Sequence, residues 1–357
     1  MMMKDLVAKK IFNQNGYIAP EESGAIKLDS NENPFSIQEP LKRILLEKFL
    51  GIDFNRYPAA GSPALRERFA RYYGVKKNMI MPGNGSDELI QILCMTFKGS
   101  IQGVLVPVPT FSMYKIIAVN TGNKVVEVPL DKRFDLDVET MTSKIKNNFP
   151  ALIFLSCPNS PTGNLFSRSK IEAIIKKTPG FVVIDEAYGA FCGQSLLPLL
   201  KKYDNVIFLK TLSKLGMASI RLGFLLGNAD VIVQLDKVRL PYNVNALSQT
   251  AAGFFLDHQK EFMKQIKEIT QRREELYREL KKIKWIKVYP SQANFIFFSC
   301  AFDSNRIYNK LVAEGIVVKD LNLPPLLTNC IRVTVGTKKE NEAFLKTLKS
   351  ITPERGA

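Results

Sequence analysis

Histidine and tryptophan are the scarcest residues in this chain, with one of each among 357 residues. A serine–histidine–aspartate catalytic set or a histidine-ligated metal centre would depend on His258 alone, so the sequence predicts neither hydrolysis of that kind nor a bound metal. The five cysteines are odd in number and scattered, and none forms a C-x-x-C pair. This pattern disfavours a disulfide framework and a zinc site.

Long hydrophobic runs are also missing. No stretch has the length of apolar sequence that crosses a bilayer, and the first residues lack the apolar region and cleavage site of a signal peptide. Hydrophobic residues make up 46% of the chain and charged residues 24%, a balance that favours a folded protein with a large core. We expect a cytoplasmic protein with reduced cysteines and no membrane partner.

A formal net charge of +16 raises the question of nucleic-acid binding. The lysines are dispersed in pairs such as Lys76-Lys77 and Lys201-Lys202, without a basic tract or interleaved aromatic residues. We therefore expect no nucleic-acid partner. The surplus of cations instead favours anionic ligands such as phosphate esters.

Short apolar, β-branched segments alternate with helical patterns between residues 104 and 228. They are VLVPVP, VVEVPL, ALIFLS, FVVIDEA, VIFLKT and GFLLGN. This rhythm predicts an α/β protein with a mostly parallel, doubly wound sheet. Beyond Leu240 a long amphipathic helix and the strands ANFIFFS and IRVTVG indicate a smaller α+β domain. We expect an N-terminal arm at 1–29, a large domain at 30–242 and a small domain at 243–357.

Asp185 ends the apolar strand FVVID, at the edge of an open α/β sheet where ligands bind. The same pattern occurs in nucleotide hydrolases, but no phosphate loop of the form G-x-x-x-x-G-K-[ST] is present. In MPGNGSDELIQIL, Gly85 and Ser86 precede an amphipathic helix whose first amide groups can hold a phosphate. Glu88 occupies the place of the third glycine of a dinucleotide fingerprint, which disfavours a nicotinamide dehydrogenase.

The segment TLSKLGMASIRLGF brings hydroxyls, an amine and a guanidinium into one loop, on Thr211, Ser213, Lys214 and Arg221. Arg221 can fork two phosphate oxygens, and Lys214 can form a Schiff base with an aldehyde. Pyridoxal 5'-phosphate carries both an aldehyde and a phosphate. Together with Asp185, these residues predict an enzyme that uses this cofactor.

Eight motifs then resemble the fold-type I, class I/II aminotransferases, and among them the histidinol-phosphate aminotransferase family, in order along nearly the whole chain. They are SNENPF (30–35), NRYP (55–58), GNGSDE (83–88), PTFSMY (109–114), CPNSPTG (157–163), DEAY (185–188), the lysine segment and RVTVGT (332–337). The resemblance implies a homodimeric enzyme that moves an amino group from a small-molecule donor to a 2-oxo acid.

The resemblance also implies roles for the residues around the cofactor. Lys214 is the Schiff-base lysine that carries out the 1,3-proton shift, Asp185 faces the pyridine nitrogen, Phe111 lies on the ring, and Asn159 and Tyr188 bind the phenolic oxygen. The phosphate is implied to be held by Gly85, Ser86, Thr211, Ser213, Arg221 and, from the other subunit, Tyr57.

For the substrate, the resemblance places Arg332 on the acidic group, with Lys319 where relatives commonly have a second arginine. Asn33 and Asn294 lie in segments that line the site in relatives, although asparagine can equally fix a turn. The implied reaction is transamination between histidinol phosphate and 2-oxoglutarate, in histidine biosynthesis. An aromatic amino acid aminotransferase and a threonine-phosphate decarboxylase stay open as alternatives.

Overall fold

The computed structural model describes residues 26–97 and 103–351. In chain order the strands are β1 (Ile26–Leu28), β2 (Ile80–Gly83), β3 (Val104–Val108), β4 (Val125–Pro129), β5 (Leu152–Ser156), β6 (Phe181–Asp185), β7 (Val206–Thr211), β8 (Gly223–Leu226), β9 (Ile286–Val288), β10 (Phe295–Cys300), β11 (Ile316–Asp320) and β12 (Cys330–Thr334). The α-helices are α1 (Glu39–Leu50), α2 (Pro63–Tyr73), α3 (Gly85–Thr96), α4 (Met113–Asn120), α5 (Val138–Asn148), α6 (Arg168–Lys177), α7 (Ala229–Asp236), α8 (Ala246–Asp257), α9 (Gln259–Leu280), α10 (Ser304–Ala313) and α11 (Lys338–Ser350). Across the described ranges, none of these helices combines the length and the apolarity that a membrane span requires.

The larger sheet has seven strands in the order β2-β8-β7-β6-β5-β3-β4. Strands β7, β6, β5, β3 and β4 run parallel, which confirms the predicted mostly parallel sheet. Strand β8 is antiparallel to both of its neighbours. Residues 212–222 form a loop that connects the end of β7 directly to the start of β8 at the same edge of the sheet, so the two strands run antiparallel. A parallel neighbour would require a crossover that carries the chain back to the other end of the sheet.

Both faces of this sheet are covered. Along β6, Val182 and Ile184 belong to one buried cluster, and Val183 between them belongs to a second cluster on the opposite face. A strand buried on both sides has no polar face, which explains the continuous apolar run FVVI. The carboxyl end of β6 therefore lies between two protein layers.

The smaller sheet has five strands in the order β1-β11-β12-β10-β9. The predicted strands in ANFIFFS and IRVTVG correspond to β10 and β12, which pair antiparallel. Strand β1 comes from the segment expected as an N-terminal arm, and it pairs parallel with β11, with Ile26 opposite Ile316. Residues 1–25 lie outside the described residues, and the domain boundaries at 29/30 and 242/243 stay predictions.

Helix α9 carries the predicted amphipathic pattern. Most of its charged residues face solvent, whereas Ile266, Ile269, Leu276 and Leu280 are buried together with one charged residue, Arg273. The helix packs against β9, β10, α8 and α11, so its apolar face covers the smaller sheet and the junction with the larger one. The interpretation of this helix as a packing element is consistent with these contacts.

Candidate active site

The carboxyl ends of β5, β6 and β7 open into one cavity of about 110 Å³. Ser156, Asp185 and Thr211 are the last residues of these three strands, and all three line the cavity. Because the strands are parallel and adjacent, their final side chains meet at the same edge of the sheet. Further residues complete the wall: Ser86, Asp87, Phe111, Tyr114, Ser160, Ala187, Tyr188, Ser213, Lys214 and Arg221.

Asp185 is 4% exposed. Its carboxylate accepts hydrogen bonds from the Tyr114 hydroxyl at 2.7 Å and from the Ala187 N–H at 2.9 Å. Burial nevertheless raises the pKa of Asp185 to about 6, because the desolvation of the carboxylate outweighs these two donors. A buried carboxylate of this kind favours a cationic N–H partner inside the cavity.

Lys214 lies in the loop that connects β7 with β8, and its side chain is half-buried. Its Nζ donates a hydrogen bond to the Ser30 carbonyl at 3.0 Å. Gly216, two residues later, has φ +96°, a conformation that glycine adopts without strain. This loop places Lys214 in the lining of the cavity.

The amino terminus of α3 and the loop after β7 form a cradle for an anion. Gly85 has φ +85°, and a Cβ atom at this position would lie 2.7 Å from Nη2 of Arg221. The hydroxyl oxygens of Thr211 and Ser213 lie 2.9 Å apart, and Oγ1 of Thr211 also lies 3.2 Å from the Leu222 carbonyl oxygen. Free N–H groups at a helix start, a hydroxyl and a guanidinium are the donors that phosphate groups need.

Arg221 is held over this cradle by Asp87, whose carboxylate accepts from Nη2 at 3.0 Å. The two side chains are 47% and 43% exposed, so solvent screens the pair and its contribution to stability is small. Its effect is to set the direction of the guanidinium.

Arg332, on β12, approaches the cavity from the smaller sheet and contacts the lining residue Ser160, but it is not itself in the lining. Its guanidinium donates to Oγ of Ser160 at 3.2 Å and to the Asp29 carbonyl, and it lies 5.3 Å from the ring centroid of Phe295. Lys319 is the cross-strand partner of Arg332 in the antiparallel pair of β11 and β12. Residues directly opposite each other in such a pair point to the same face, so two cations lie side by side there.

Known proteins resemble this chain in sequence and in fold. Residues 23–348 match the family "Aminotransferase class I and II". The chain is 41% identical to "Histidinol-phosphate aminotransferase 2" of Nitrosococcus oceani, over 98% of this chain and 99% of the relative. The chain belongs to the class I and II aminotransferases.

Solved structures of this aminotransferase's relatives agree in fold. The histidinol-phosphate aminotransferase of Clostridium acetobutylicum superposes with a TM-score of 0.83 at 26% identity, over 91% of this chain and 98% of that one. L-threonine-O-3-phosphate decarboxylase of Porphyromonas gingivalis superposes with a TM-score of 0.79 at 21% identity, over 91% and 98%. The second likeness concerns the fold alone. As a class I and II aminotransferase, the chain is a pyridoxal-phosphate-dependent transaminase.

Several residues expected at the site of this aminotransferase lie beside the cavity and not in its lining. Asn159 is fully buried, accepts from the Thr110 hydroxyl at 2.9 Å, and donates to Thr162 Oγ1 and to the Pro109 carbonyl. Both of its amide hydrogens have partners, so in this arrangement it joins two turns behind the cavity wall. Its contact with the cofactor stays a prediction.

The two substrate asparagines expected from the sequence also have structural partners. Asn33 accepts from the Phe35 N–H at 2.9 Å and donates to Gln265 of α9 at 3.0 Å. Asn294 is fully buried and donates to the Asn31 carbonyl at 2.9 Å. Substrate binding by either residue stays a prediction.

Tyr57 is 81% exposed in the single chain and stacks on Tyr242, with ring centroids 4.6 Å apart. It is not among the residues that line the cavity. The predicted contact of Tyr57 with a cofactor phosphate would therefore have to be made in the cavity of a second subunit, and it stays a prediction.

Sequence analysis missed Tyr114 and Asn31, as well as the lining residues Asp87, Ser156, Ser160 and Ala187. Tyr114 belongs to the recognised segment PTFSMY, and its ring packs edge-on against the ring of Phe111, two residues before α4, with centroids 5.4 Å apart. Asn31 belongs to SNENPF, and its Nδ2 donates to the Tyr188 hydroxyl at 2.9 Å. The motif SNENPF marks this segment as part of the site, but no sequence pattern indicates that Asn31, and not Asn33, contacts Tyr188.

Proposed function

We propose that this aminotransferase transfers the amino group of L-histidinol phosphate to 2-oxoglutarate, in histidine biosynthesis in the cytoplasm, as a homodimer. The observation that carries the proposal is the presence of two separate groups of anion-binding side chains, one in the wall of the cavity and one beside it, next to the lining residue Ser160. Arg221 and the start of α3 form the first, and Arg332 with Lys319 forms the second. One suits the cofactor phosphate, and the other suits the acidic group of the substrate.

The residues present fit pyridoxal phosphate. The cradle at Gly85 and Ser86 with Ser213, Thr211 and Arg221 would hold its phosphate, and Tyr57 of a second subunit would close that side. When bound, the cofactor supplies an aldehyde that condenses with amines and a pyridine ring that accepts electrons from the substrate carbon. Phe111, with its ring 5.4 Å from that of Tyr114, would cover one face of the cofactor ring.

Within that frame each side chain has a distinct task. Lys214 would hold the cofactor through Nζ and, once displaced by the substrate amine, move a proton from the substrate carbon. Asp185 would keep a proton on the pyridine nitrogen through a charge-assisted hydrogen bond. Tyr188 would donate to the phenolic oxygen. Arg332 would grip the phosphate of histidinol phosphate in one half-reaction and a carboxylate of 2-oxoglutarate in the other.

Purified protein incubated with L-histidinol phosphate and 2-oxoglutarate should produce glutamate and the corresponding ketone, identified by mass. Phenylalanine, tyrosine and threonine phosphate are the competing donors. Preference for phenylalanine or tyrosine would identify an aromatic aminotransferase. Release of carbon dioxide from threonine phosphate would identify a decarboxylase, and either outcome would overturn the proposed substrate.

Replacing Lys319 with alanine is expected to raise KM for histidinol phosphate about tenfold, with a smaller rise for 2-oxoglutarate. A phosphate carries more charge than a carboxylate and gains more from a second cation beside Arg332. Steady-state kinetics with each substrate varied in turn measures both constants. Lys287→Ala, on the exposed face of the edge strand β9, is the matched control. Equal changes in the two KM values would contradict phosphate binding by Lys319.

Replacing Gly85 with alanine is expected to weaken cofactor binding about tenfold or more. The new Cβ atom would lie 2.7 Å from Nη2 of Arg221. The alanine would also have to keep the positive φ of this position, which costs an L-residue about 1–2 kcal/mol. Titration of cofactor-free protein with pyridoxal phosphate, followed by absorbance, gives the dissociation constant. At Gly227, where the nearest atom would lie at 3.6 Å, alanine should leave this constant unchanged. Equal dissociation constants for the two variants would show that Gly85 and the groups around it do not bind the cofactor phosphate.

A further inference from the structure

Asn31 lies where the two sheets meet, in the segment that follows β1. It is 1% exposed and has φ +53°, a left-handed conformation that asparagine tolerates better than most residues. Its N–H donates to Oγ1 of Thr334 at 3.0 Å, and its carbonyl accepts from Asn294 at 2.9 Å. Its side chain contacts Thr334 and Tyr188. All of the polar groups of this buried residue therefore have partners.

The direction of each of these hydrogen bonds follows from one fixed donor. The Asn31 backbone N–H can only donate, so Oγ1 of Thr334 accepts it, and the single hydroxyl hydrogen of Thr334 is then directed to Oδ1 of Asn31 at 3.2 Å. With Oδ1 on Thr334, the amino group of the side chain faces Tyr188 and donates to its oxygen at 2.9 Å. Tyr188 keeps its own hydrogen for a different acceptor.

That acceptor must lie in the cavity, because Tyr188 lines it and is otherwise buried. If the bond ran the other way, the hydroxyl hydrogen of Tyr188 would be consumed by Asn31. A hydroxyl has only one hydrogen to donate. The carboxamide orientation at Asn31 therefore decides whether Tyr188 is a donor toward a bound ligand.

The two residues before Asn31 contact the other candidate groups. The Ser30 carbonyl accepts from Nζ of Lys214 at 3.0 Å, and the Asp29 carbonyl accepts from the guanidinium of Arg332. Three consecutive residues thus contact Lys214, Arg332 and Tyr188. The left-handed turn at Asn31 joins these contacts, since it directs the chain from β1 across the cavity edge.

We propose that Asn31 is a positioning residue of this aminotransferase, which holds Tyr188 as a hydrogen-bond donor toward the cofactor and anchors the 29–31 segment against Lys214 and Arg332. The identity of the group that receives the Tyr188 hydrogen, the phenolic oxygen of pyridoxal phosphate, rests on the proposed function. A hydrogen bond to that oxygen stabilises its negative charge and lowers the proton affinity of the neighbouring nitrogen.

The test is a pH titration of the visible absorbance of the cofactor-loaded enzyme without substrate. Asn31→Gly retains the left-handed backbone and removes the donor to Tyr188. We expect the midpoint to rise by about 0.4 to 1 pH unit, the equivalent of one ordinary hydrogen bond. Asn31→Asp, whose carboxylate would accept from Tyr188, should raise it further and lower kcat about tenfold. Asn329→Asp, the same change at another left-handed asparagine, φ +53°, should leave the midpoint unchanged.

A second background separates positioning from a general structural effect. In a Tyr188→Phe enzyme the hydroxyl is gone, so Asn31→Gly should no longer move the midpoint. An equal shift in both backgrounds, or no shift in either, would overturn the inference while the wild-type spectrum still supports the proposed function. A wild-type protein with no visible absorbance after incubation with pyridoxal phosphate would overturn both.

Discussion

Replacing Lys214 with alanine is expected to reduce transamination by about 10⁴-fold or more. In the proposed mechanism this amine would both hold the cofactor and move the proton, and among the described residues that line the cavity no other is a lysine. Lys210, the nearest lysine in sequence, forms an ion pair with buried Glu186. The amine of Lys214, by contrast, contacts a carbonyl of the cavity edge.

Two measurements check this result. Borohydride treatment of the loaded wild type, followed by digestion and mass spectrometry, should add the mass of the reduced cofactor to the peptide that contains Lys214. The Lys214→Ala protein should show no such adduct and no turnover. Lys201→Ala, at an exposed position on the surface, serves as the control and should retain both the cofactor adduct on Lys214 and the turnover. An adduct on any other lysine would overturn the assignment.

Replacing Asp185 with asparagine is expected to lower kcat by about 10²–10³-fold, the usual cost of removing one preorganised electrostatic group. Asparagine has nearly the same shape and can still accept the Ala187 N–H, while its amino group can donate to the Tyr114 oxygen. The loss would therefore come from the missing charge opposite the pyridine nitrogen. Single-turnover kinetics with a saturating donor isolates this step.

The same substitution should stabilise the cofactor-free protein. Because burial raises the pKa of Asp185 from 3.8 to about 6, the folded state holds its proton more tightly than the unfolded state. The free energy of unfolding therefore decreases as pH rises between about 4 and 6, and near pH 7 the ionised carboxylate costs on the order of 2 to 3 kcal/mol. Asp185→Asn removes that cost.

Urea unfolding of cofactor-free protein near pH 4.5 and near pH 7 measures the effect. The stability gained by Asp185→Asn should be larger near neutral pH, whereas Asp204→Asn, at an exposed position, should show no such difference. A gain that is equal at both pH values would show that the carboxylate is not destabilised by burial. Lower activity together with higher stability is typical of a group retained for function.

The fold was largely predictable because its strands carry their signal locally. Strands β3 to β8 are short apolar runs, and each was recognised from the sequence. Strand β2, IMPG, was not recognised, since four residues with a proline give no strand pattern, and its strand conformation depends on pairing with β8. Strand β1 pairs with β11 across nearly 300 residues, a contact that no local pattern contains.

The site divides in the same way. The sequence by itself determined which chemical groups are available, because a carboxylate at a strand end, a lysine loop and a glycine before a helix are local patterns. Only the tertiary structure decided what these groups do to one another. Burial by the surrounding layers shifts the pKa of Asp185, the register of β11 and β12 places Lys319 beside Arg332, and one left-handed turn selects Asn31 as the partner of Tyr188. The first and third of these effects depend on residues far apart in the chain, and the second depends on the pairing of two strands, so no local pattern contains any of them.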